Sequence, residues 1–264
     1  MFPNAEFLGL DLYYWMIAVG ILAAMIVFRL FHQKAGLSVK VFNFSLLVGV
    51  VAIIFGYLSA ILFQSWYSFL ETGVFIWGVG ATFYGGLIGA VLIFIALYFG
   101  IGHFLFQDRA HIAQFNNLLS LAVPCIVLGH AFGRLGCLFD GCCYGALTDS
   151  HIGINMWVDC ELQRRIPIQL FESLFLFALA GCLLYLTVQK KFEYTASAYL
   201  IAYGVWRFFI EFARDDDRGA SGIDLLSPSQ LTAIFMILAG IALIFLYRFV
   251  LKKYFERVGE HEEG

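Results

Sequence analysis

The chain has 264 residues, of which 61% are apolar and only 13% charged, with a formal net charge of −3. Soluble domains carry about 25% charge and few long uninterrupted apolar stretches, so this composition indicates an integral membrane protein. A balance so close to neutral, without a basic cluster interleaved with aromatics, excludes a nucleic-acid partner.

Seven apolar windows follow in chain order: 12–30, 42–63, 81–100, 115–134, 170–188, 195–213 and 229–247. At a rise of about 1.5 Å per residue, each can cross or nearly cross a hydrocarbon core about 30 Å thick. The first is not read as a secretory signal, because Glu6 and Asp11 precede it and neither a basic flank nor a small-residue cleavage site is present. The window at 115 opens on Asn116 and Asn117 and becomes apolar from Leu118 to Leu128. Seven crossings put the termini on opposite sides.

The connections give the direction. Arg29, Lys34 and Lys40 follow the first window, Arg109 the third, and Lys190 and Lys191 the fifth. Arg248, Lys252, Lys253 and Arg257 follow the last. Basic residues collect on the cytoplasmic side, so the N-terminus is expected outside and the C-terminus in the cytoplasm. The remaining bases, Arg134, Arg164, Arg165, Arg207, Arg214 and Arg218, fall on or near the outer face, against that bias. An anionic head group is the economical reason for cations there.

No repeat or linker divides the chain, and 1–264 reads as one membrane domain. The connection 64–80 carries Trp66, Tyr67 and Trp77, rings suited to the head-group interface; Tyr13 and Tyr14 have the same bland reading as belt anchors. The connection 135–169 is too long for a tight turn and too short for a soluble domain, so it is expected to fold back on the outer rim. Cys125 and Cys182 sit in apolar windows and read as small buried hydrophobes.

Two polar inserts carry the chemistry. The first runs from Gly133-Arg134 through Gly136-Cys137 and Asp140 to Cys142-Cys143-Tyr144-Gly145. Charged groups near lipid are costly unless paired or used. Arg134 can snorkel, pair with Asp140, or clamp a phosphate with its planar fork. Cys137, Cys142 and Cys143, with His130 upstream, leave three uses open: a zinc site, a nucleophilic thiolate near Arg134, or a disulfide that includes Cys160.

In the second insert, Arg207, Glu211 and Arg214 recur at i, i+4 and i+7, which puts them on one helical stripe with Tyr203. Two arginines around one glutamate leave a net positive site suited to an anionic ligand. Glu172, just after Pro167 and Gln169, is the other intramembrane carboxylate, a bundle brace or a site residue. Tyr84, ahead of Gly85-Gly86, can donate to an anion where small residues pack helices closely.

The order of these pieces resembles the prolipoprotein diacylglyceryl transferase family. The matching residues are Tyr13, Met16 and Gly20; Gly56-Tyr57; Phe83 with Gly85-Gly86-Leu87-Ile88-Gly89; and Gly133-Arg134-Leu135-Gly136 through Gly145. They continue with Pro167-Ile168-Gln169-Leu170-Phe171-Glu172, Tyr203-Gly204 through Arg207, Glu211 and Arg214, and Ser229-Gln230-Leu231. The resemblance implies an all-α membrane protein with seven helices around a laterally open central cavity, in the bacterial inner membrane, with the active site toward the outer leaflet. It implies transfer of diacylglyceryl from phosphatidylglycerol to a prolipoprotein cysteine thiol, with release of glycerol phosphate. Arg134 and Arg207 match the family's phospholipid-binding arginines, and Glu211 and Arg214 its associated charged pair.

The chain departs from the family pattern at specific places. Tyr84 stands where the family has histidine; Cys137, Asp140 and Cys142 replace two asparagines and a glutamate; and Ile54 replaces an arginine. The expected catalytic set is Arg134, Arg207, Glu211, Tyr84 and Cys142. The expected substrate-binding set is Tyr13, Tyr57, Asp140, Cys143, Glu172, Tyr203 and Arg214. No cofactor and no metal ligand is assigned. The expected partners are an anionic phospholipid, a prolipoprotein peptide or other thiol acceptor, and the membrane, with the chain a monomer. A lipid or anionic-solute transporter on the same bundle, or a thiol- or metal-dependent lipid-modifying enzyme, is the competing reading.

Overall fold

The computed structural model describes residues 6–78, 80, 82–158, 161–215 and 226–254. Helix α1 spans Leu12–Phe31, α2 Val39–Thr72, α3 Phe83–Leu105 and α4 Ala110–Ala113; α5 spans Phe115–Asp140, α6 Ile168–Lys190, α7 Thr195–Ile210 and α8 Pro228–Leu246. Two small antiparallel hairpins accompany this all-α framework: β1 (Glu6–Phe7) with β2 (Leu10–Asp11), and β3 (Ile154–Val158) with β4 (Glu161–Arg165).

Six of the helices, α1, α2, α3, α5, α6 and α8, are long and apolar enough to cross a membrane. The window 195–213 also folds as a helix, but α7 has 16 residues, about 24 Å at 1.5 Å per residue. It ends at Ile210 and tightens into a 3-10 turn at Glu211–Ala213. The expected continuous stripe is therefore broken after Arg207. The Ala213 carbonyl accepts from the Ala146 N–H at 3.0 Å, and Arg214 turns extended to bridge Gly145. These outside partners draw the backbone out of the helix.

Local chemistry sets the other ends. Ser38 caps α2, its Oγ accepting from the Val41 N–H, and Gly73 closes that helix in the left-handed region at φ 73°. Ser227 and Gln230 form a reciprocal capping box at the start of α8, with Pro228 in the first turn.

The chain divides into two units. One comprises residues up to Ala35 together with Leu119–Lys252; the other comprises Gly36–Leu118 and the residues from Lys253. Within Gly36–Leu118, α2 and α3 meet along small residues. A Cβ on Gly56 would stand 2.7 Å from the Ala90 Cβ and 3.0 Å from the Gly86 carbonyl. Such close approach replaces hydrophobic driving force, which lipid does not supply between helices. At one end, Tyr98 donates to the His111 carbonyl at 2.8 Å, and the Phe99 and Phe106 rings flank the His111 imidazole.

In the larger unit, Val123, Val127, Ala131, Leu176, Ala180, Leu183 and Tyr203 from α5, α6 and α7 form the core. Hydrogen bonds cross it: Ser173 Oγ donates to the Ala131 carbonyl at 3.0 Å, and Thr187 Oγ1 to the Ser120 carbonyl at 3.1 Å. Gly204 lets α7 approach α8, where an added Cβ would lie 2.9 Å from the Ala233 carbonyl.

The connection after α5 carries the β3–β4 hairpin, which packs Met156 and Val158 onto Leu138. Cys125 is buried as expected, but Cys182 is exposed. A free thiol is apolar enough to stand on the outward face of an apolar helix.

Candidate active site

The first polar insert ends α5. Arg134, about three turns beyond Val123 at the start of the core-facing stripe, does not pair with Asp140. Its Nε lies 3.2 Å from Glu172 Oε2, and Asp140 is exposed. The reason is burial: Glu172 on α6 is fully enclosed, and its charge needs a cation inside the bundle. The other carboxylate oxygen, Oε1, accepts from the Tyr203 hydroxyl at 2.7 Å. One carboxylate thus joins α5, α6 and α7 at a single point. The His130 ring stands edge-on to Tyr203 with centroids 5.1 Å apart, so it belongs to this centre and not to the thiols downstream.

The second insert builds a different centre. Arg207 Nη2 lies 2.7 Å from Glu211 Oε2, and Arg214 Nε lies 3.6 Å from the same oxygen. Glu211 Oε1 accepts from Ser227 Oγ at 2.9 Å, and Arg207 Nη2 also donates to Ser229 Oγ at 2.7 Å. Two guanidinium groups share one carboxylate. The buried Nη1 of Arg207 has no hydrogen-bond acceptor among the described residues. The two centres adjoin: His130 lies within electrostatic reach of Arg134, Glu172 and Arg207, and Tyr203 within reach of both arginines.

Beyond α5 the chain reverses sharply. Gly141 and Cys143 both take left-handed backbone angles, φ 80° and 61°, which turns Cys142 and Cys143 back toward Cys137. The three sulfur atoms lie within 4.8 Å of one another. Among the described residues, Cys125, Cys137, Cys142, Cys143 and Cys182 form no disulfide, and Cys160 lies outside the described residues. Hydrogen bonds from the Cys137 and Cys142 thiols, aided by the Arg134 and Arg214 guanidinium groups, hold the Cys143 thiol well below the usual range. The Cys142 thiol, hydrogen-bonded to Cys137, is pushed up. Gln169 Nε2 donates to the Cys142 carbonyl and anchors the turn to α6.

Tyr13, on α1, packs where α5 is bare: a Cβ on Gly136 would meet its Cδ2 at 3.0 Å. The phenol lies within electrostatic reach of Cys137, Asp140, Cys142 and Cys143. Tyr57 stands exposed on α2 in the other unit. Tyr84 falls in the first turn of α3, and its side chain lies outside the described residues.

Two of the arginines expected on the outer face have structural work. Arg165 donates to the Gly145 carbonyl at 3.1 Å, pairs with Asp215 at 2.7 Å and lies over the Tyr144 ring. Arg164 donates to the Ser150 carbonyl at 3.3 Å. Arg218 lies outside the described residues. The sequence reading gave Ser227 no part, although Ser-x-x-Gln before an apolar run signals the cap that positions it beside Glu211. Ser229 figured only in the resemblance, and its contact with Arg207 has no signal in spacing.

Residues 4–246 match the family model described as prolipoprotein diacylglyceryl transferase. The phosphatidylglycerol–prolipoprotein diacylglyceryl transferase 2 of Clostridium perfringens is 36% identical over 248 residues, covering 90% of this chain and 92% of the relative. The phosphatidylglycerol–prolipoprotein diacylglyceryl transferase of Clostridium tetani is 33% identical over 253 residues, covering 92% and 96%.

Proposed function

The chain belongs to the prolipoprotein diacylglyceryl transferase family, and from that premise we propose that it moves diacylglyceryl from phosphatidylglycerol to a prolipoprotein cysteine thiol. The reaction is placed at the outer leaflet of the bacterial inner membrane, in a seven-span monomer with its N-terminus outside. One observation carries the site assignment: two adjoining arginine centres within an apolar bundle, with a buried Arg207 Nη1 in want of an acceptor among the described residues.

The phosphate of the donor lipid supplies that acceptor. Arg207 and Arg134 hold it with planar forks, and the charge that grows on the departing phosphate oxygen is stabilised by donors already in place. Glu211 orients Arg207 and Arg214. Glu172 and Tyr203 fix the direction of Arg134. The acceptor sulfur attacks the glyceryl carbon, the carbon–oxygen bond breaks, and its electron pair leaves on glycerol phosphate. Tyr13, Asp140 and the thiols of Cys142 and Cys143 flank the acceptor side of this chemistry, and Tyr57 and Tyr84 are assigned to the donor lipid.

Reconstitution in vesicles containing labelled phosphatidylglycerol tests the reading. With a cysteine-containing lipobox peptide, label is expected on the peptide, with glycerol phosphate released in equal amount. Movement of intact lipid between leaflets without any labelled peptide would overturn transfer in favour of transport.

A further inference from the structure

Lipid binding by arginines does not account for the convergence of three thiols at one point. They do not cross-link, and they sit half-buried at the end of α5 rather than in the core, held together by a turn with two left-handed residues. Packing alone needs no such convergence. Three sulfurs around a tetrahedral ion with metal–sulfur bonds of about 2.3 Å stand about 3.8 Å apart. The observed cluster, within 4.8 Å, needs only a small contraction to reach that geometry.

We propose that Cys137, Cys142 and Cys143 hold a zinc ion as three thiolates, and that its open fourth position takes the sulfur of the acceptor cysteine. This rests on the thiol-acceptor reading above. Zinc suits the donors: it favours sulfur, has no redox chemistry, and in reactive sites keeps three protein ligands and one exchangeable position. Three thiolates on a divalent ion carry one net negative charge. Arg134 and Arg214, both within electrostatic reach of Cys143, balance it. His130 is engaged with Tyr203 and does not fill the fourth position.

The step balances. The acceptor thiol loses its proton to water on binding, because a thiol on zinc is deprotonated. The bound sulfur then forms a bond to the glyceryl carbon as the carbon–oxygen bond breaks and the electron pair departs on the phosphate. The charge of the thiolate passes to glycerol phosphate. The product sulfur is a neutral thioether, a poor zinc ligand, and leaves.

The test uses the full chain in detergent micelles. Metal analysis is expected to give one zinc per chain. Cobalt(II) loading should produce sulfur-to-metal charge-transfer bands that disappear in Cys137→Ser, Cys142→Ser and Cys143→Ser but persist in Cys182→Ser. A cysteine peptide should shift those bands, and its serine counterpart should not. Should the serine variants fail to fold, wild-type protein answers instead: zinc should shield three cysteines from maleimide until a chelator is added. Unshielded thiols, loading by copper(I) alone, or cobalt bands indifferent to the cysteine peptide would each overturn the proposal. Parallel lipid turnover separates the two readings. Undiminished transfer by zinc-stripped protein removes the metal and leaves the reaction; peptide-sensitive cobalt bands without turnover leave the site and remove the reaction.

Discussion

Helices α2 and α3 meet through Gly56, Gly86 and Ala90, whereas α5, α6 and α7 meet through Arg134, Ser173, Glu172 and Tyr203. Both unions solve the same problem, since lipid is as apolar as the helix faces and gives no hydrophobic incentive to associate. The first does so by bringing backbones close along a seam of small side chains. The second fastens helices with charges that must be paired, and those charges can also meet a ligand. The buried charge pairs gather where the fastening is polar.

The largest effect that sharpens this contrast is expected from Glu172→Gln. It keeps the shape and a partner for the Tyr203 hydroxyl but strands Arg134 without its carboxylate. Breaking a buried pair from one side costs about 3–5 kcal/mol, so the thermal midpoint in micelles should fall steeply. An unchanged midpoint would mean that the charge pair does not hold the bundle.

Arg207→Lys comes next. A point charge cannot reproduce the fork that reaches Glu211 and Ser229 together. Loss of one such donor lowers turnover about 100-fold, with helical content by circular dichroism preserved. Wild-type label transfer by this variant would reduce Arg207 to a brace and dissolve the distinction between the two regions.

Gly56→Ala probes the other kind of union. The added methyl meets Ala90 and the Gly86 carbonyl inside contact distance, and overpacking costs about 1–3 kcal/mol. A denaturant titration should show the loss without any change in the affinity for phospholipid. Stability equal to wild type would show that the close approach of α2 and α3 is slack.

The smallest effect concerns His111. Burial among aromatic rings lowers its pKa from the usual 6.5. Below pH 6.5 the unfolded chain takes up a proton that the folded chain refuses, so stability is expected to fall as the pH drops. His111→Phe should flatten that part of the midpoint-against-pH curve. An equal slope in the variant would assign the acid sensitivity elsewhere.

The helices were legible because apolar windows of membrane length stand out, and each window falls within or overlaps a helix; α2, however, runs on to Thr72 through much of the connection expected at 64–80, and α7 is too short to count among the six candidate spans. The close of α7 was not legible, because the partner that ends it, the Ala146 N–H, lies far away in sequence. The β3–β4 hairpin was overlooked although buried Met156 and Val158 alternate with exposed Asn155 and Trp157, the period of a half-buried strand. The sharing of Glu211 by Arg207 and Arg214 was visible in their spacing. The choice of Glu172 over Asp140 by Arg134 was not, since it is decided by burial across two helices. The thiols were visible as a cluster, but their convergence depends on the backbone at Gly141 and Cys143.

The bridge between Gly145 and Arg214 has a mechanical consequence. It rivets the segment that leaves the thiols to Arg214, three residues beyond Glu211, and Arg165 clamps the same joint through Asp215 and the Gly145 carbonyl. Sulfur and guanidinium are thereby carried on one splint.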